Sequence, residues 1–261
     1  MSESQSFWEH LDELRSSLIR IIVVVMVCAI VAFFFKDSIF AIVLGPKNAD
    51  FITYRILQHV AGFFTGDATG SLSPSSVRLI NTGLAQQFFL HVKTSAVVGF
   101  MAALPYVIYI LFRFVSPALY TSERHHAIRL VVWGYVMFIL GLFLSYFLVF
   151  PLTFRFLGMY QVSEIVENTV TIESYIDTLM TISLCMGIIF EIPLICWIMG
   201  RLGVINATLM KRFRKHVIVA LLVIGAIITP TSDVFTLMLV SMPMWMLYEL
   251  SIYIVGIHCR K

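Results

Sequence analysis

The sequence predicts an all-α membrane protein of six transmembrane helices with both termini cytoplasmic. Three observations carry that prediction. The 261 residues are 59% hydrophobic and 13% charged, with a mean hydropathy of +0.92, whereas a soluble domain carries about a quarter charged residues. Six apolar runs follow one another, separated by polar segments. Lysine and arginine are distributed unevenly between alternate segments.

The first run covers about Ser17 to Phe35, the second His91 to Phe112 and the third Ile128 to Phe150. The fourth covers Thr178 to Gly200, the fifth Val217 to Thr229 and the sixth Val234 to Ile257. The first lacks a small-residue cleavage site and is long enough to remain as a span. The fifth has 13 residues. At 1.5 Å per residue it reaches roughly 20 Å, short of the ~30 Å hydrocarbon core, so the bilayer thins there or neighbours shelter the helix. Pro105, Pro193 and Pro243 fall inside spans, where other helices must satisfy the freed carbonyls. Residues 1–261 are expected to form a single transmembrane domain. With a cytoplasmic N-terminus, twelve of the eighteen Lys and Arg residues fall on the cytoplasmic side, and that excess fixes the orientation.

The loop from Lys36 to Leu90 is expected on the outer side. It holds an amphipathic stretch, "DFITYRILQHVAGFF", expected as a helix on the outer surface, then the linker "TGDATGSLSPSS". Glu164, Glu167, Glu173 and Asp177 crowd a second outer loop. The net charge of +3 belongs to membrane orientation, and the basic residues are split among loops, so nucleic-acid binding is excluded. Cys28, Cys185, Cys196 and Cys259 form no CxxC or Cys/His cluster and are expected as free thiols. The histidines sit at span ends, with His59 in the outer loop, rather than facing each other inside the bundle, so no haem site is expected. No phosphate-binding glycine loop, metal set or nucleophile–base pair is present; the expected cofactor list is empty and the chain is not expected to be an enzyme.

A few polar residues stand out. Charge within a span is expensive and commonly functional. Glu191, in "IIFEIPLICW", lies about two-thirds along the fourth span beside a proline. It is read as a proton site or a polar contact for another membrane helix, against the alternative of a packed neutral carboxyl. Glu249, near the end of span six, is expected to snorkel or pair with a loop cation. Asp12 and Glu13 stand directly before the first span, and Glu123 lies in the loop after the second. On their own these would be solvated carboxylates paired with Arg15 and Arg124, worth little.

Several segments taken together carry a resemblance. "HLDELRSSL" before span one, "FVSPALYTSERH" after span two, "YFLVFPLTFRFL" closing span three, "FEIPL" in span four and "TPTSDVFTLMLVSMPMWMLYEL" across spans five and six resemble TatC, the six-span subunit family of the twin-arginine protein translocase. The resemblance implies a TatC-like concave bundle in a bacterial-type cytoplasmic (inner) membrane. It implies a receptor and scaffold for twin-arginine signal peptides of folded cargo, working in a Sec-independent translocase driven by the proton gradient. Glu13 and Glu123 match the family's acidic positions at the inner boundary. Guanidinium is planar and permanently charged and its fork matches a carboxylate, so paired arginines call for such a site. Arg15 and Arg124 would orient the carboxylates, and Phe114 matches an aromatic beside them. Pro46 matches the outer cap that roofs the concave face. Glu191 matches an intramembrane acid on the concave face that contacts a partner's membrane helix or thins the local bilayer, Asp233 matches the acid in the outer turn between the short spans, and Thr229 matches part of a polar patch that docks TatA/TatB-type single-span proteins. A homo-oligomeric complex in the lipid bilayer is implied. The alternative from the residues alone is a proton-coupled secondary transporter with Glu191 as its relay. The chain departs from the family pattern at His125, at the extra residue in "TPTSDVF" and at Leu237.

Overall fold

The computed structural model describes residues 7–48, 50–65, 78–115, 127–159, 169–229 and 233–258. Helix α1 (Phe7–Phe34) starts ahead of the first apolar run, so its acidic residues are helical. A cap follows: α2 (Lys36–Val43), a 3₁₀ turn (Gly45–Lys47) and α3 (Ile52–Thr65). Then come strand β1 (Leu79–Ile80) and the long α4 (Gln86–Val115), which tolerates Pro105 inside it.

The third span is α5 (Ala127–Leu144), a π-turn (Ser145–Val149) and α6 (Phe150–Met159). It therefore runs past the apolar segment, which stopped at Phe150. The π-turn has a local cause. Pro151 has no N–H, so the carbonyl of Phe147 loses its i+4 donor, and the Phe150 N–H bonds back five residues to Ser145. Strand β2 (Val170–Thr171) pairs in parallel with β1, Leu79 against Val170 and Ile80 against Thr171.

The fourth span breaks into α7 (Ile172–Ile189) and α8 (Ile192–Arg201), with Phe190 and Glu191 between them. Helix α9 (Ala207–Ile228) and α10 (Val234–His258) complete the chain. Five of the six crossings are long and apolar enough to span a membrane by composition alone. The sixth is α9, whose first half is "ATLMKRFRKH". Its crossing is fixed by its neighbours. At its start Tyr248, near the end of α10, donates to the Met210 carbonyl at 2.9 Å. Beyond its end Phe235, at the start of α10, stacks on Phe156 at 4.6 Å.

Consecutive crossings alternate in direction. One end of the bundle therefore carries the cap and strands, and the opposite end carries the start of α1 and the end of α10. Burial is deepest where the π-turn and α6 meet α7 and α10, with Val149, Phe150, Ile176, Ile182, Met186, Val240 and Met244 almost fully buried. Exposed apolar side chains cover the outside, most of all on α1, as a lipid-facing surface requires.

Helix α1 packs mainly on α4. At their contact a Cβ on Gly99 would stand 2.4 Å from the Ala29 backbone nitrogen, so only glycine permits this backbone approach. Cys28, Cys185 and Cys196 are half-buried free thiols, and Cys259 lies outside the described residues.

Candidate functional site

The end of the bundle that carries the termini holds Glu13. The half-buried positions of α1 recur as Glu13, Ser17, Ile21, Val24 and Cys28, leading to buried Ala32. That is the helical stripe facing α4, so Glu13 sits on the packed side. The antiparallel register is set by Gly99 against Ala29. Sixteen residues back along α1 from Ala29 is Glu13, and sixteen onward from Gly99 is Val115. Equal rise places Glu13 level with Phe114 and Val115 at the end of α4. Phe114 is half-buried there. Asp12 and Arg15 are exposed. Arg15 lies about 200° round α1 from Glu13. Glu123 and Arg124 lie outside the described residues.

Glu191 occupies the break in the fourth span. Pro193 leaves the Ile189 carbonyl without an i+4 donor, and the chain tightens so that the Glu191 N–H donates to Ile188 at 3.0 Å. Glu191 thereby becomes the residue before the first turn of α8, where the helix dipole favours an anion. Its carboxyl points between three spans. A Cβ on Gly134 of α5 would lie 3.1 Å from Glu191 Oε2 and 3.2 Å from Ile108 of α4. The absence of a side chain at Gly134 makes room for the carboxyl. Glu191 Oε1 is buried with no hydrogen-bond partner among the described residues.

Thr229 and Asp233 flank the turn between α9 and α10. Thr229 is buried and its hydroxyl donates to Gly225 at 3.0 Å. Asp233 Oδ2 accepts from the Thr236 N–H at 2.7 Å, the N-cap bond of α10. Both therefore shape helix ends. Pro230, Thr231 and Ser232 lie outside the described residues.

The cap is fastened to the third span by side chains donating to carbonyls. Thr53 donates to the Phe147 carbonyl that Pro151 left free. The Tyr54 hydroxyl is shared between the carbonyls of Pro46, at 3.0 Å, and Pro151, at 3.3 Å. Burial pushes the Tyr54 hydroxyl pKa up to about 12, with the Arg155 guanidinium, 5.3 Å above its ring, pulling in the other direction. Tyr146 donates to Ile42 at 2.6 Å and Tyr175 to Val43 at 3.0 Å. Pro46 is buried and its carbonyl is one of the acceptors in this arrangement. Beneath α2 an apolar groove of about 420 Å³ opens between α4, the third span and α7, lined by Ile42, Met101, Phe143, Phe147 and Met180 among others.

Comparison with known proteins now bears on these features. The family profile described as "Sec-independent protein translocase protein (TatC)" matches residues 9–243. The chain is 33% identical over 254 residues to the TatC protein of Aquifex aeolicus, covering 97% of this chain and 95% of that one. It is 28% identical to the Escherichia coli K12 protein, covering 97% and 89%. A crystal structure titled as the twin-arginine translocase receptor TatC superposes with a TM-score of 0.75 at 32% identity, covering 95% of this chain and 98% of that one. A second, in DDM, gives 0.77.

The chain belongs to the TatC family. It is a membrane-spanning component of a Sec-independent protein translocase.

Within this TatC chain the structure adds contacts that sequence patterns did not supply. Lys93 of α4 pairs with Asp177 of α7 at 2.8 Å, and Gln86 donates to Glu173 at 2.5 Å. The only signal was the crowd of acids near the start of span four, with no hint of partners. Glu249 does pair with a cation, but with Arg214 on helix α9 rather than in a loop, at 2.5 Å. Arg201 lies over the Trp197 ring at 5.4 Å.

Proposed function

We propose that this TatC-family chain is the receptor and scaffold of its translocase. It receives the twin-arginine signal peptide of a folded cargo protein and recruits TatA/TatB-type single-span proteins that let the cargo cross. The observation that supports this reading best is a family match over residues 9–243 combined with a carboxylate, Glu13, turned toward the end of α4. Glu123 follows in the adjoining loop and supplies the second acid. Charge-assisted contacts of this kind are worth about 1.5–3 kcal/mol each, and the bidentate fork selects arginine over lysine. The apolar part of the signal lies in the groove under α2. Glu191, with Thr229 and Asp233, contacts the partner helices.

The chain acts as one transmembrane domain of the bacterial-type inner membrane, with both termini cytoplasmic and the cap outside, in a complex holding more than one copy. It is not an enzyme, and the proton gradient drives transport; one charge crossing is worth ~2.3 kcal/mol per 100 mV. Family membership favours this over a proton-coupled transporter of small solutes with Glu191 as relay.

The test is a double-mutant cycle. Glu13→Gln and Glu123→Gln are each measured against signals with one arginine replaced by glutamine. A joint site gives coupling above ~1 kcal/mol for at least one pairing. Independent surface charges give coupling near zero that disappears in salt, and that result would refute the receptor site.

A further inference from the structure

Helix α9 has two faces of different character. Met210, Leu221, Gly225 and Ile228 are its buried positions, and they fall on one side at 3.6 residues per turn. Arg214 lies on that side and is neutralised by Glu249 of α10 at 2.5 Å. The opposite side carries Lys211, Arg212 and Lys215, which fall within about 100° of arc and are all exposed. Helix α9 contains no acidic residue, and none of these three pairs with an acid among the described residues.

The same outward face continues along the helix as Val219, Leu222 and Val223, which are 60%, 39% and 54% exposed. Three cations followed by an uninterrupted apolar strip reproduce the section of an anionic phospholipid, with the headgroup phosphate at one end and the acyl chain along the rest. The shortness of the apolar part of α9 sharpens the match. From Val217 to Ile228 the apolar part spans only about 18 Å, so the cations lie deeper than they would on a full-length span, at the level where lipid phosphates are the available counter-ions.

We propose that the outward face of α9 binds an anionic phospholipid, with Lys211, Arg212 and Lys215 holding its headgroup phosphate and Val219, Leu222 and Val223 carrying its chain. The site needs only that the chain spans a membrane; it does not depend on signal recognition. It anchors α9 at the end where its apolar part stops.

The full-length protein in dodecyl maltoside micelles is titrated with phosphatidylglycerol and, separately, phosphatidylcholine, and bound lipid is counted by native mass spectrometry. The wild type should prefer phosphatidylglycerol. Replacing Lys211, Arg212 and Lys215 together by Gln should reduce that preference roughly tenfold or more. A triple replacement of the same net charge at the cap, Lys36→Gln, Lys47→Gln and Arg55→Gln, should leave it intact, and Lys211→Arg with Lys215→Arg should retain it. Equal loss in the cap variant, or no loss in the α9 variant, overturns the proposal. Full displacement of the lipid by millimolar inorganic phosphate also overturns it, because it would make this a site for free anions. If the α9 triple variant does not fold, a phosphatidylglycerol carrying a photoreactive headgroup decides the matter on wild-type protein: cross-links should map to residues 211–216, and their absence overturns the assignment.

Discussion

Glu191 and Tyr54 show how one side chain draws its role from the backbone around it. At Glu191, Pro193 interrupts the ladder and the Gly134 gap admits the carboxyl between α4, α5 and α8. A carboxyl with an unpartnered oxygen in a low-dielectric region is poised to accept a polar group from another helix. Glu191→Ala should therefore reduce export about tenfold or more, through lost partner recruitment, while leaving signal binding near wild type. Glu191→Gln, which still hydrogen-bonds, should be milder. Co-purification of partner subunits alongside a signal-binding assay separates the two effects, and lost signal binding with normal recruitment would contradict the assignment. Tyr54 makes the opposite case, a polar group already satisfied. Its folded pKa is raised above the ordinary value of 10 to about 12. The unfolded chain ionises first, so the stabilisation from Tyr54 is whole below pH 10 and is lost as pH rises to about 12. Tyr54→Phe leaves the Pro46 and Pro151 carbonyls without this donor, and should cost about 1–3 kcal/mol at neutral pH. Thermal unfolding of both proteins in micelles, compared at pH 8 and pH 11.5, should show the gap between them narrowing at the higher pH.

At the scale of elements, the sequence was legible where the cause is local. Long apolar runs gave the crossings, and "DFITYRILQHVAGFF" gave α3, although its Thr53–Tyr54 side is buried against the third span rather than lying free on a surface. The three prolines inside spans read alike in sequence, yet Pro105 and Pro243 lie in unbroken helices and only Pro193 accompanies a break. What escaped has non-local causes. A two-residue strand such as Leu79–Ile80 carries no periodicity, and its partner Val170–Thr171 is 91 residues away. The π-turn ahead of Pro151 was hidden because apolar composition does not register which carbonyl loses its donor. Which side of α1 is covered, Glu13 with it, is set by packing on α4, which no single run of sequence records. The α1–α4 contact yields a prediction. Gly99→Val would put a methyl-bearing carbon inside the Ala29 backbone, and overpacking costs about 1–3 kcal/mol. Because α1 has little other contact, the helix should swing as a unit and carry Glu13 from its place level with Phe114. Cysteines introduced at Ala29 and Val98 should report altered cross-linking, and signal binding should weaken even though no charge has changed. Wild-type signal affinity in a stably inserted Gly99→Val protein would show that this contact does not position Glu13.

At the scale of the whole molecule, six alternating crossings commit the chain to one geometry: whatever side holds Glu13 also holds Arg214 and the end of α10, and the cap with Pro46, Thr53 and Tyr54 lies on the other. Sidedness is then a prediction from charge. The termini side collects the basic run of α9 and twelve of eighteen Lys and Arg residues, which the positive-inside rule assigns to the cytoplasm. The orientation matters to mechanism, because a receptor for cargo folded inside the cell must present Glu13 and Glu123 inward, and a roof over the groove is useful only on the far side. With Cys28, Cys185, Cys196 and Cys259 replaced by serine or alanine, single cysteines at Glu3, Ser16 and Arg260 should resist a membrane-impermeant maleimide in intact cells and react after the membrane is opened. Single cysteines at Lys47 and Asn48 should react in intact cells. Labelling of Glu3 or Arg260 from outside would invert the molecule, place the carboxylates on the wrong side for their proposed ligand and remove the physical basis of the receptor reading. The expected pattern places Glu13, Glu123 and the basic start of α9 at the cytoplasmic boundary, with the break at Glu191 deeper along its own span.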